Sequence, residues 1–61
     1  MATTFEVTLM WHDGGSVFLG VARAKNADEA CKIALHNYTR DAKNLAEVEA
    51  GGGYQLEAER I

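Results

Sequence analysis

Phe5, Val7, Leu9 and Trp11 alternate with Thr4, Glu6, Thr8, Met10 and His12. This period-two spacing commits the segment to a β-strand with one buried face. Asp13-Gly14-Gly15-Ser16 follows it, and Asp-Gly and Gly-Gly pairs supply the positive φ that tight hairpin turns require. A second strand is expected from about Val17 to Lys25, so the chain up to Lys25 reads as a hairpin.

Two registers compete for that hairpin. A two-residue Gly14-Gly15 turn sets Glu6 opposite Arg23 but leaves Val17, Leu19 and Val21 on the polar face. A three-residue loop with a bulge groups Val17, Leu19 and Val21 with Phe5, Val7, Leu9 and Trp11. The bulged loop is favoured, because burying aliphatic side chains at about 1.5–3 kcal/mol each outweighs one exposed ion pair worth under about 1 kcal/mol.

Asn26 has the character of an N-cap, with Glu29 three residues on as in a capping box. The helix that begins there places Ala27, Ala30, Cys31, Ala34 and Tyr38 on its buried stripe and Asp28, Glu29, Lys32, His36 and Arg40 opposite. Beyond Tyr38 two layouts remain open. Val48, Ala50, Tyr54, Leu56 and Ala58 alternate with glutamates and Gln55 around Gly51-Gly52-Gly53, which reads as a second hairpin. Propensity over Asp41–Ala46 equally supports a helix running to the glycines and a single closing strand. The expected fold is α+β, one domain over residues 1–61, with one helix on a three- or four-stranded antiparallel sheet. The order is ββαββ, or ββαβ with a longer helix.

A chain of this length buries only about 60% of the surface its unfolded form exposes, leaving no room for a deep substrate cavity. The single Cys31 forms no disulfide within the chain, and neither a basic leader nor a long apolar run is present. A cytoplasmic protein without a membrane anchor is expected, monomeric or weakly dimeric. The net charge of -3, from nine carboxylates against six Lys and Arg, points to a basic partner rather than to direct contact with nucleic acid.

The strongest candidate site is the group Glu47, Glu49, Glu57 and Glu59. In a hairpin centred on Gly52, Glu47 faces Glu57 on the solvent side, and like charges set opposite one another cost stability. Such a row is either an imitation of phosphates presented to a basic groove or a solvated edge that resists aggregation. Trp11, beside the turn, is either a partner anchor or a lid on the core. Ile33 lies off the buried stripe, as rim packing or a contact point. Lys32, Arg40 and Lys43 form a small basic stripe if the helix is long, the basis of an alternative nucleic-acid-binding reading. No catalytic residues, metal ligands or cofactor are expected: Cys31 and His36 point to opposite sides of their helix, and the glycines lack the Lys-Ser/Thr of a phosphate loop.

The order of a hairpin, then Ala24-x-Asn26-x-Asp28-Glu29-Ala30 opening a helix that carries Ala34 and Tyr38, then a final strand, resembles small bacteriophage proteins that inhibit host machinery. It is similar to the phage inhibitors of bacterial RNA polymerase and to anti-CRISPR proteins. The resemblance implies a non-enzymatic inhibitor that occludes a host nucleic-acid-handling complex, such as a CRISPR effector, through a basic surface of that protein or ribonucleoprotein. It implies the cytoplasm of an infected bacterium as the setting.

Overall fold

The computed structural model describes residues 2–61. Strands β1 (Thr3–Trp11) and β2 (Ser16–Ala24) form the hairpin, helices α1 (Ala27–Thr39) and α2 (Ala42–Ala50) follow, and β3 (Tyr54–Arg60) closes the fold. All pairings are antiparallel and β1 is central, in the order β2-β1-β3. The fold is therefore α+β, with a three-stranded sheet and two helices.

The favoured loop is the one that forms. Gly14 N–H donates to the Trp11 carbonyl at 3.1 Å and Trp11 N–H to the Gly15 carbonyl at 2.8 Å, so the loop proper is His12-Asp13-Gly14. Gly14 takes the positive φ of 104° that this geometry demands. Further along, Val7 is opposite Gly20 while Thr8 is opposite Phe18, which leaves Leu19 as an extra residue. This bulge, with Gly20 at φ 123°, reverses the facing of the rest of β2. Val17 and Leu19 stay half-buried, but Ala22 and Ala24 then point into the core, and Val21 is left 58% exposed. Val21 is thus not on the buried face, and Glu6 stands opposite Val21 rather than Arg23.

Helix α1 starts as its sequence requires: Asn26 Oδ1 accepts the Glu29 N–H at 2.9 Å, and Glu29 Oε1 reaches back to the Lys25 N–H at 3.3 Å. Ala30 and Ala34 of α1 meet Ala22 and Ala24 of β2, Phe5 and Val7 in the core. Small side chains on both surfaces let helix and sheet approach closely. Ala27, expected on the buried stripe, lies exposed in the first turn.

Residues 42–50 are a helix, so the second hairpin does not exist and the order is ββααβ rather than ββαββ. Asp41 explains both the break and the restart. Its backbone is extended (φ -82°, ψ 124°) and its carboxylate caps the Lys43 N–H at 2.8 Å, which ends α1 and nucleates α2. Asn44 Nδ2 then donates to the Tyr38 carbonyl at 3.0 Å and pins the two helices together. The ββαβ alternative was closer, with its single closing strand, but its helix is broken in two.

Candidate functional site

Both helices lie on one side of the sheet, and among the described residues nothing packs on the other. Strand alternation fills that outer face. Its successive rows are Arg23–Thr4, Val21–Glu6–Glu59, Phe18–Thr8–Glu57 and Ser16–Met10–Gln55, read from β2 across β1 to β3, so the exposed Arg23 stands one row from Glu6. Glu6, Glu57 and Glu59 are all exposed, and among the described residues none has an ion-pair partner. Phe18 (54%) and Val21 (58%) are exposed beside them. The bonds His12 N–H to Gly53 O and Ile61 N–H to Thr4 O fix the ladder phase, and with the register they make Glu6 and Glu59 a directly opposed, hydrogen-bonded pair. Like charges so placed destabilise a sheet, and their cost is borne on a face that lacks any covering element.

The glutamates expected to cluster are divided between two elements. Glu57 and Glu59 belong to the sheet face, where Glu57 is opposite Thr8 rather than Glu47. Glu47 and Glu49 are exposed on α2. Glu47 accepts the Tyr38 hydroxyl at 3.0 Å, tying α2 to α1. Partial burial, then the Glu47 acceptor and the charges of Glu47 and Asp41, hold that hydroxyl protonated above the usual phenol range. Glu6 was missed from the sequence because its neighbour in space is the far end of the chain.

Trp11 is committed to the fold. Its Nε1–H donates to the Val48 carbonyl at 3.2 Å, joining the end of α2 to the end of the hairpin. The glycines exist to admit it. A Cβ on Gly51 would overlap the indole, reaching Trp11 Cε2 at 2.8 Å, and one on Gly15 would sit 3.3 Å from Trp11 Cε3. Gly52 supplies a left-handed turn (φ 80°), and a Cβ on Gly53 would press on His12 Nδ1 at 2.8 Å. A shallow open depression of about 390 Å³ lies at this end of the sheet, lined by Met10, His12, Ser16 and Gln55 among others. Ile33 packs at the rim of the core, half-buried against it. Lys32 is paired with Asp28 at 3.4 Å, while Arg40 closes α1 and Lys43 lies in the first turn of α2, on either side of Asp41 along the chain, so the basic stripe is interrupted by carboxylates.

Cys31 is half-buried against the core while His36 is exposed on the same helix. Burial, reinforced by the nearby Asp28 charge, raises the thiol pKa. Thiolate is therefore scarce at neutral pH. Modification of Cys31 by a disulfide reagent at pH 7.5 is expected to be slow in the folded protein, and faster by at least about tenfold in denaturant, where the thiol returns to its ordinary pKa and full exposure. Equal rates in the two states would contradict its placement. Among the described residues no group of three or more metal-ligating side chains converges, and no helix is long and apolar enough to cross a membrane.

Comparison with protein-family models found no match for the chain, and neither curated proteins nor solved structures gave a significant one.

Proposed function

We propose that the chain is a non-enzymatic acidic binding protein, of phage or mobile-element type, that occludes a basic surface on a host nucleic-acid-handling complex. The reading rests on one observation: an uncovered sheet face on which Glu6 and Glu59 oppose each other, Glu57 stands in the next row, and Phe18 and Val21 lie exposed on the edge strand β2. Unpaired carboxylates supply the long-range attraction to a cationic groove, and the apolar side chains supply area that loses water on contact. A CRISPR effector, in the manner of anti-CRISPR proteins, is the target we favour; bacterial RNA polymerase is the second. Both work on nucleic acid in the cytoplasm of a bacterial host, and both carry basic channels.

The competing class is a nucleic-acid binder acting through Lys32, Arg40 and Lys43. The Asp28–Lys32 pair and the position of Asp41 between the other two weigh against it. Capture from a bacterial lysate, run with and without nuclease, separates the classes. An inhibitor keeps a defined protein partner after nuclease treatment. Loss of all captured material on nuclease treatment would favour the basic stripe instead.

A further inference from the structure

Besides its outer face, the sheet has two edges, and they differ. The edge of β2 is bent by the bulge at Leu19–Gly20, a device that spoils continuous pairing with another strand. The β3 edge is regular: its register with β1 runs from Tyr54 to Arg60 without a shift. Among the described residues no strand pairs with that edge, and α2 packs on α1 rather than on β3.

The ladder phase shows which backbone groups this edge offers. Gly53 is bonded to His12, just past the end of β1, and Ile61 to Thr4, so Gln55, Glu57 and Glu59 between them also turn their N–H and C=O toward β1. Tyr54, Leu56, Ala58 and Arg60 turn theirs outward, to the free edge. The side chains divide the same way. Glu57 and Glu59 face the outer surface, while Leu56 and Ala58 face the helix side, half-buried.

We propose that the β3 edge takes up an extended basic segment of the partner protein as a fourth, antiparallel strand, continuing the antiparallel order of the sheet, with Lys or Arg alternating with aliphatic residues. This rests on the acidic-surface reading and names the part of the partner that would be held. Main-chain bonds to Tyr54, Leu56, Ala58 and Arg60 supply affinity, and alternate side chains supply selectivity. The cationic residues lie directly across from Glu57 and Glu59, and the aliphatic ones from Leu56 and Ala58. Charge also argues against a second copy as the occupant. Antiparallel self-pairing of β3 centred on Glu57 sets that residue against itself, and centring on Ala58 sets Glu57 against Glu59. Centring on Leu56 avoids both contacts but still crowds four carboxylates along one seam.

The geometry makes a selective prediction. In the added strand the aliphatic residues exchange bonds with β3, and the cationic residues turn their backbone away from it. An eight-residue peptide alternating Lys and Val, added to the folded protein at about ten times its dissociation constant, should slow amide exchange about tenfold at Tyr54, Leu56, Ala58 and Arg60. Gln55, Glu57 and Glu59, already bonded to β1, should change little. Methylating the Val nitrogens should abolish this protection, methylating the Lys nitrogens should preserve it, and a Glu/Val peptide should fail to bind.

Equal binding of the two methylated peptides would reject edge pairing while leaving the acidic face as the contact. No binding by any peptide, with glutamate-dependent capture of a protein partner intact, would likewise reject the edge and spare the broader reading. Protection of the same four amides that rises with protein concentration in the absence of peptide would assign the edge to a second copy and overturn the proposal.

Discussion

Gly51→Ala is expected to cost about 2–3 kcal/mol in chemical denaturation, and to become mildly stabilising when Trp11 is first replaced by leucine. Gly51 has ordinary right-handed backbone angles (φ -77°, ψ -8°), so alanine meets no conformational penalty there. The obstacle is the indole, whose Cε2 lies 2.8 Å from where the new Cβ would stand. Accommodating it means overpacking, at about 1–3 kcal/mol, and displacing the ring from its 3.2 Å bond to the Val48 carbonyl, at about 1 kcal/mol. With leucine at position 11 both terms shrink. What remains is the smaller unfolded-state entropy of alanine, a gain of about 0.4–1 kcal/mol. The reversal of sign separates this latch from a generic dislike of substitution in the glycine run. Equal costs of Gly51→Ala in the two backgrounds would show that Trp11 does not depend on Gly51.

The same latch shows where the sequence was legible. Period-two spacing from Thr4 to His12, the Asp-Gly-Gly loop and the Asn26 cap are local signals, each acting within a few residues, and each formed as expected. Glu47-Val48-Glu49-Ala50 was ambiguous because one apolar residue between two glutamates fits a strand and a helix equally well. Val48 is buried, but on α2, and the Asp41 cap settled the matter in favour of the helix. Gly20 carried a signal that the strand pattern concealed. An isolated glycine inside a strand marks a bulge, and recognising it would have turned Val21 outward. The candidate surface was harder still to read. Glu57 and Glu59 were visible as an alternating pair, but the strand they join is β1 at the other end of the chain, so Glu6 becomes their neighbour only through non-local pairing.

Those three glutamates carry the largest expected effect on binding. Replacing Glu6, Glu57 and Glu59 by glutamine keeps side-chain size and strand pattern and removes one directly opposed pair of charges. The fold should survive, with stability unchanged or raised by up to about 1 kcal/mol. Capture of the nuclease-resistant partner should nevertheless be lost, because the attraction to a basic groove depends on charge that the amide lacks. Glu47 and Glu49 provide the internal comparison: they lie on α2, away from the sheet face, and Glu47 is already engaged by Tyr38.

The most direct measurement is therefore a paired capture experiment at one salt concentration. It sets Glu6→Gln/Glu57→Gln/Glu59→Gln against Glu47→Gln/Glu49→Gln, with folding of each variant checked by thermal melting. Loss of the partner with the sheet-face variant, and near-normal recovery with the helix variant, is the predicted result. Undiminished capture by a folded sheet-face variant, or loss only with the helix variant, would contradict it and move the contact surface to α2.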